Sequence, residues 1–399
     1  MGGLFSKHKT PHQTVHHVHD LPELPPYGGA PIEYKTVTVN AGLDVQSHFS
    51  FMASNVTIQA TNEEQYHPEL AATQEQGYRM LTFVSLPGSI QKYGFSASTG
   101  RQFTLTKFHG IFCKLFQDEL DQNCELKVVK STFLNEMFTE WSGDIFLNPE
   151  AGIVDNDNDI PLGKFHILQT LQSISEEGGR LISVELSGMS EEQIEIQKQY
   201  VERRAKTPHQ TIETIPEMQV AVDVFFEIPA EPSNDKYVYK IVNCPLESKY
   251  KHAFPQGHFI SHYNSENEMS KYFETGWKLT DILEDYSVSH LTQMDGFRPH
   301  DTQRNNCLLL FEKPVSRIDS TVQYYEGQIV EYWVPSHKHC HHKDGEKSDW
   351  DPVINHYGKK GWQIVKFLAT PDTRFDGPFQ QTAYTKYYLF FQRIVINQN

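Results

Sequence analysis

The residues with the clearest chemical potential are concentrated in one stretch near the C-terminus, "SHKHCHHK" at 336–343. Imidazole and thiolate are the ligands that zinc and copper prefer in proteins. The stretch falls between a predicted strand and a predicted helix, and no second ligand set accompanies it at metal-site spacing. We therefore favour a solvated polar loop and keep a metal site as the alternative. The candidate ligands are His337, His339, Cys340, His341 and His342.

A second chemical signal is the start of the chain, "MGGLFS". The pattern Met-Gly-x-x-x-Ser is typical of N-myristoylation, in which Gly2 becomes the N-terminal residue and is acylated. One myristoyl chain gives only reversible membrane binding, and firm anchoring needs a second signal. Position 3 is glycine and not a cysteine for palmitoylation, so we expect reversible residence at a membrane. The additional membrane contacts that we predict are Leu4, Phe5, Lys7 and Lys9.

Common catalytic and cofactor motifs do not occur in the sequence. There is no GxxxxGK[ST] phosphate loop, no GxGxxG after a predicted strand, no GxSxG and no HExxH. The acidic run "DNDND" at 155–159 lacks the glycine and the closing glutamate of a calcium loop. No nucleophile, base and orienting group stand at a recognisable spacing. The sequence therefore predicts a non-enzyme without a cofactor.

Composition and charge narrow the class of protein. The formal net charge is −16, whereas general nucleic-acid binding needs cationic side chains that neutralise phosphates. The five cysteines are scattered without a CxxC pair, which is typical of a reducing compartment. No apolar run approaches the roughly 20 residues of a membrane span. We therefore expect an acidic, intracellular, globular protein that does not bind nucleic acid.

Four stretches of the chain repeat one pattern, in which a glycine is followed by an aromatic residue in three cases, then by a polar and an apolar residue. They read "EQGYRMLTFV", "EEGGRLISVE", "ETGWKLTDIL" and "KKGWQIVKFL". A candidate helix precedes each glycine, which suits a left-handed C-cap, and a strand-like run follows. The repeated residues are Gly77, Tyr78, Gly178, Gly276, Trp277, Gly361 and Trp362.

One more extended run precedes each candidate helix, and another follows each glycine stretch. The predicted fold is therefore α+β, with four tandem strand-helix-strand-strand (βαββ) modules packed as a pseudo-repeat. We expect mainly antiparallel sheets with helices on one face, joined as two pairs or as a continuous array. A flexible leash for the lipid anchor is predicted over 1–30. The predicted modules span 31–118, 119–232 with an inserted helix at 190–206, 233–316 and 317–399.

The chain resembles the raftlin family. The clearest likeness lies in "YEGQIVEYWVP" (325–335), "YGKKGWQIVKFLATP" (357–371) and "YYLFFQRIV" (387–395), and weaker likeness covers most of 32–395. The resemblance implies a lipid-anchored protein of membrane rafts, linked to immune-receptor signalling and receptor uptake. It also implies acylation on an N-terminal glycine and an adjacent cysteine. Gly2 matches the first position and Gly3 departs from the second, and the long extensions of raftlins are missing.

These observations predict an N-myristoylated peripheral membrane adaptor or scaffold in raft organisation, receptor signalling or trafficking. It would reside at the cytoplasmic face of the plasma membrane or endomembranes, partly in the cytosol, and bind protein partners that the sequence does not identify. One alternative is a soluble scaffold of a cytoskeletal or ciliary assembly, and another is a metal-binding protein that uses the loop 337–342. A third is a ligand-binding barrel, because βαββ units can close their sheets around a pocket.

Overall fold

The computed structural model is α+β and rich in antiparallel sheet, which confirms the predicted class. The residues that it describes are 13–15, 20–50, 53–58, 63–86, 91–96, 101–114, 124–134, 144–148, 152–155, 166–189, 219–230, 236–251, 258–263, 265–295, 298–336, 350–376 and 382–396. The helix predicted at 190–206 lies outside them. The described helices are α1 (His67–Glu75), α2 (His166–Glu176), α3 (Ser265–Phe273) and α4 (Asp351–Gly358).

The described strands run along the whole chain and differ widely in length. They are β1 (Gln13–Val15), β2 (Glu33–Ser50), β3 (Ala53–Ile58), β4 (Tyr78–Ser85), β5 (Gln91–Ser96), β6 (Arg101–Lys114), β7 (Cys124–Leu134), β8 (Asp144–Asn148), β9 (Gly152–Asp155), β10 (Arg180–Met189), β11 (Gln219–Pro229), β12 (Tyr237–Asn243), β13 (Leu246–Lys251), β14 (His258–Tyr263), β15 (Lys278–Asp295), β16 (Arg298–Pro314), β17 (Tyr325–Ser336), β18 (Gln363–Asp376) and β19 (Thr382–Ile394).

Each of four sheets contains a set of three antiparallel strands in the same spatial order. Within each set, the strand that comes last in sequence lies between the first and the second. The sets are sheet 1 (β2-β6-β4), sheet 2 (β7-β11-β10), sheet 3 (β12-β16-β15) and sheet 4 (β17-β19-β18). In each, one helix precedes the second strand in sequence, and that second strand pairs with the last strand alone among the described strands. We call these second strands, β4, β10, β15 and β18, the ring strands.

The ring strands surround a common axis. Along the described chain β4 approaches β10, β10 approaches β15, β15 approaches β18, and β18 returns to β4. The helices follow the same cycle, because α1 packs on sheet 2, α2 reaches β8 beside sheet 3, α3 packs on sheet 4 and α4 packs on sheet 1. Each helix therefore lies between its own sheet and the next one, and the four sheets form a closed ring.

Apolar cores fill the four spaces between adjacent sheets. Between sheets 1 and 2, Phe83 and Phe225 come from different sheets and their ring centroids are 4.6 Å apart. Between sheets 4 and 1, the fully buried Trp350 lies 4.5 Å from the ring of Phe367, in one cluster with Ile111 of sheet 1. Burial of each aromatic side chain contributes about 2 kcal/mol or more, so these cores hold neighbouring sheets together.

Side chains of one sheet also complete the backbone hydrogen bonds of its neighbour. The hydroxyl of Tyr34 in sheet 1 accepts from the N–H of Ile364 in β18 of sheet 4 (2.8 Å) and donates to the carbonyl of Trp362 (2.6 Å), just before that strand. The hydroxyl of Tyr239 in sheet 3 likewise accepts from the N–H of Leu181 in sheet 2 at 2.9 Å. The ring is thus closed by polar contacts as well as by apolar cores.

A glycine in the left-handed conformation lies one or two residues before every ring strand. The φ values are 85° at Gly77, 76° at Gly178, 84° at Gly276 and 73° at Gly361. A side chain in this conformation costs roughly 1–2 kcal/mol. The glycines of the sequence pattern therefore turn the chain from each helix into a strand at the axis.

Each ring strand also contains a β-bulge that begins three residues after this glycine. A bulge adds one unpaired residue and bends the strand. The bulges fall between Met80 and Thr82, between Leu181 and Ser183, between Leu279 and Asp281, and between Ile364 and Lys366.

The segment before β2 lies on the body of the protein. Leu24 is 6% exposed and belongs to the core between sheets 4 and 1. The ring of His356 bonds the carbonyl of Pro22 (2.8 Å), and the hydroxyl of Tyr27 donates to the carbonyl of Ile394 (3.0 Å). Residues 20–30 therefore pack against the protein, unlike the predicted flexible leash. The reason is that apolar side chains such as Leu24 are buried in the core between sheets 4 and 1. The predicted module boundaries stay predictions.

Substitutions at two glycines distinguish the energetic cost of backbone strain from that of steric overlap. A Cβ at Gly77 would meet nothing within 4 Å, whereas a Cβ at Gly276 would lie 2.7 Å from the carbonyl oxygen of Val322. We expect Gly77→Ala to reduce the free energy of unfolding in urea by about 1–2 kcal/mol, and Gly276→Ala to reduce it further. The control is Gly28→Ala, which has open space and no positive φ. Equal losses for Gly77→Ala and Gly28→Ala would contradict the explanation.

His109 in β6 makes stability depend on pH. Burial lowers the pKa of His109 to about 4, against the opposing effect of Asp351. Its Nδ1 is buried without a hydrogen bond in the described structure. In the unfolded chain the pKa returns to about 6.5, so the unfolded state gains a proton first as pH falls. The stability is present above about pH 6.5 and is lost as pH falls towards 4.

We expect His109→Phe to remove up to about 1.4 kcal/mol per pH unit from the pH dependence of unfolding in this window. Urea titrations at about pH 7 and about pH 5 measure it. The control is His262→Phe in β14, because the side chain of His262 is exposed. An unchanged slope in His109→Phe would show that His109 is not the titrating group.

Candidate functional site

Most chemically distinctive residues of the sequence lie outside the described structure. This holds for Gly2 and its neighbours Leu4, Phe5, Lys7 and Lys9, and for the histidine and cysteine candidates in 337–342. Within the described ranges, no group of three or more His, Cys, Asp or Glu side chains is arranged to hold a metal ion. The lipidation and metal predictions therefore stay predictions, and the site considered next comes from other residues.

A pocket of about 280 Å³ lies on the axis of the ring, at the end where the ring strands begin. Residues of all four ring strands line it, together with the ends of β6, β11 and β19 and the start of β17. The segment before β2 completes the wall with Tyr27, Ala30 and Ile32. The closed ring therefore creates one concave site to which every sheet contributes.

The same position of each ring strand supplies a polar side chain to this pocket. It is the second residue after the left-handed glycine, and it faces one residue of the central strand of its sheet. The ring-strand residues are Arg79, Arg180, Lys278 and Gln363. Their partners across the sheet are Cys113, Glu227, Glu312 and Gln392.

Ion pairs join three sheets in one continuous row, which we call the charge ladder. Glu227 lies 3.6 Å from Arg79 of sheet 1 and 3.8 Å from Arg180 of its own sheet. Glu312 lies 2.5 Å from Arg180 and 3.5 Å from Lys278. Each carboxylate thus binds the cation of its own sheet and that of the preceding sheet.

The next junction uses an uncharged version of the same contact. The side-chain oxygen of Gln392 accepts from the N–H of Leu279 at 3.1 Å, and its nitrogen donates to the carbonyl of Leu279 at 2.8 Å. The charge ladder therefore ends at sheet 3, and an amide continues the circle to sheet 4.

The carboxylates of the charge ladder are more deeply buried than its cations. The Glu312 side chain is 2% exposed and that of Glu227 is 8% exposed, whereas Arg79, Arg180 and Lys278 are 15%, 24% and 17% exposed. Burial alone would raise the pKa of Glu312, but Arg180 and Lys278 outweigh it and the net pKa is lowered. Burial would lower the pKa of Arg180, yet Glu312 keeps it well above its ordinary value. The pair of Arg180 and Glu312 is therefore ionised, and the cations are the more accessible side of the ladder.

Further along the axis lies a buried polar cluster. Lys366 of sheet 4 is 3.2 Å from Asp281 of sheet 3 and 3.6 Å from Glu185 of sheet 2. Asp281 also accepts from the N–H of Val184 at 2.5 Å, and the hydroxyl of Ser183 donates to it. These side chains come from the first position after each bulge or close to it, so three sheets meet in one cluster.

The pocket residues were only partly visible in the sequence. The polar position after each glycine is part of the repeated pattern, but nothing local distinguishes Arg79 or Lys278 from a solvated side chain. Glu227 and Glu312 lie far from their partners along the chain and carry no motif. Arg and Lys donors around a small cavity suit the binding of an anion, which is the chemistry that this arrangement offers.

Comparison of the chain with models of known families, with curated proteins and with solved structures finds no match. Among the described helices, none has both the length and the apolar character needed to cross a bilayer.

The buried cluster gives a test of how the axis is held. Lys366→Met leaves the carboxylate of Asp281, which is 0% exposed, without its cation. We expect the free energy of unfolding to fall by about 3 kcal/mol or more, and the double variant Lys366→Met/Asp281→Leu to recover part of it. The exposed pair Lys271–Glu268 provides the control, since Lys271→Met should cost about 0.5 kcal/mol or less. Equal losses in both single variants would contradict this role.

Proposed function

We propose that this chain is an N-myristoylated peripheral membrane adaptor or scaffold, raftlin-like in kind, built from four βαββ modules closed into a ring. The observation that carries the proposal is the N-terminal pattern Met-Gly-x-x-x-Ser with Gly2 as acceptor. Its place of action would be the cytoplasmic face of the plasma membrane or endomembranes, with a cytosolic fraction. Protein partners in raft organisation, receptor signalling or trafficking would bind the ring.

Support for four modules of one kind comes from features that recur at equivalent positions. Each sheet has the same strand order and a helix before the ring strand. A left-handed glycine precedes each ring strand, and a bulge begins three residues after that glycine. Four independent origins for this combination would require the same irregularity to arise four times. Duplication of one βαββ unit is the simpler account.

Support for a membrane role also comes from how the N-terminal region meets the body. β1 pairs in parallel with β17, and Gln13 lies opposite Val330. Eleven positions separate Gly2 from Gln13, so the acyl group would lie within about 40 Å of this edge at full extension. A lipid at Gly2 would therefore keep sheet 4 near the membrane surface.

A ligand-binding ring is the second candidate function, and the pocket on the axis is the observation that favours it. It is compatible with the first candidate, because a membrane scaffold with a central site can respond to a small molecule. The soluble scaffold remains the alternative if the lipid is absent.

The experiment that tests the lipid is intact mass spectrometry of the protein from its own cells, combined with membrane fractionation. We expect the mass of one myristoyl group on the wild type, and its loss together with membrane residence in Gly2→Ala. Gly3→Ala is the matched control, because it changes a neighbouring glycine and leaves the acceptor intact. An unmodified N-terminus with unchanged fractionation of Gly2→Ala would overturn the proposal and favour the soluble scaffold.

A further inference from the structure

We infer that the pocket on the ring axis binds a phosphate-bearing anion and that its source is the head group of a phosphorylated lipid. The second half of this inference rests on the proposed membrane function. It would supply the second membrane signal that a single myristoyl chain requires.

The charge of the pocket is the first argument. Five cationic side chains line it, whereas Glu227 is the one carboxylate among the described lining residues. The lining cations are Arg79, Lys114, Arg180, Lys278 and Arg393. Two more carboxylates pair with these cations from outside the lining, Glu312 with Arg180 and Glu326 with Arg393. Cations therefore predominate among the described lining residues, in a chain whose net charge is −16.

The depth of these charges is the second argument. A charge ladder with a purely structural role could bury its cations and carboxylates equally. Here the carboxylates of Glu227 and Glu312 are buried, with 8% and 2% of their side chains exposed. The cations that pair with them are more accessible to solvent. Guanidinium and ammonium groups therefore face the cavity, with their positions set by buried acids. Preorganised donors of this kind bind an anion without the entropic cost of ordering long side chains.

The chemistry of the donors selects the class of anion. The planar fork of arginine matches the oxygens of phosphate, and lysine adds a point charge. A phosphate monoester carries about −1.5 to −2 charges at neutral pH, which suits a lining in which cations predominate. The volume of about 280 Å³ admits a small head group. A phosphate monoester is therefore the ligand that fits both charge and size.

The position of the mouth connects the pocket to the membrane. Tyr325, the first residue of β17, lines the pocket, and Val330 lies five residues further along that strand. Because β1 runs parallel to β17 with Gln13 opposite Val330, Gln13 lies about 17 Å from Tyr325 in the pocket wall. The eleven positions from Gly2 to Gln13 extend up to about 40 Å. A lipid on Gly2 and a head group in the pocket can therefore belong to one membrane.

Two binding measurements on full-length Gly2→Ala protein test the inference without the acyl chain. Calorimetric titration with inositol trisphosphate measures the pocket, and flotation with phosphatidylcholine vesicles containing phosphatidylinositol bisphosphate measures the lipid. Vesicles with phosphatidylserine at equal surface charge control for bulk electrostatics. We expect binding in both assays and little binding to phosphatidylserine.

The variants are Lys278→Gln and Lys114→Gln, each expected to weaken binding about tenfold, since a hydrogen bond to a charged group contributes about 1.5 kcal/mol or more. Lys114 is exposed at the rim, so its variant tests the pocket without disturbing the charge ladder. Lys271→Gln on α3 is the control with the same charge change and should bind as wild type.

The outcomes separate this inference from the proposed function. Absence of binding to inositol trisphosphate would overturn the inference that the pocket binds an anion. An equal loss of affinity in Lys271→Gln would overturn it as well. Binding of inositol trisphosphate without binding to vesicles would overturn the inference that the ligand is a lipid head group. The ligand of the pocket would then be a soluble phosphate ester. Equal binding to phosphatidylserine vesicles would overturn recognition of the head group. Specific head-group binding in a protein whose natural N-terminus proves unmodified would support the pocket while the myristoylation proposal fails.

Discussion

The edge position of the ring strands is the constraint on which the rest of the structure depends. Among the described strands, each ring strand pairs on one side only, so the N–H and C=O groups of its other side face a neighbouring sheet without a strand partner. Such groups are costly when buried without partners. Tyr239, Gln392 and Tyr34 supply these partners at Leu181, Leu279 and Ile364. Those three residues are the same position of three ring strands, immediately before the bulge.

This arrangement explains why four sheets assemble as a ring and not as a row. A row would leave two terminal sheets with an open edge and an open apolar face. Closure between sheets 4 and 1 covers both, with Trp350 in the core and Tyr34 at the backbone. The polar residues at the axis differ from sheet to sheet, so only one order of neighbours pairs Lys366 with Asp281 and Arg180 with Glu312. Buried polar contacts of this kind specify which partners meet more than they add stability.

Local features of the fold could be predicted from the sequence, and long-range ones could not. The glycine after each helix and the alternation of helix and strand are encoded within about ten residues, so the class and the left-handed turns follow from the pattern. The bulges and the closure carry no local signal, because they depend on which sheet lies alongside. The same holds for Glu227 and Glu312, whose partners are far away in the sequence. The proline content of residues 20–30 favoured the prediction of a flexible leash, whereas Leu24 in this segment is buried.

Closure of the ring has a consequence for the order of synthesis. The face of sheet 1 that contains Ile111 has its partner in Trp350, which the ribosome adds more than two hundred residues later. At about 5–20 residues per second this interval is on the order of ten seconds or more. During it the first sheet is complete while its apolar face still lacks the partner from sheet 4. The seam of the ring is therefore an apolar surface that stays without its partner until sheet 4 is made, and a protein truncated before sheet 4 would keep that surface exposed.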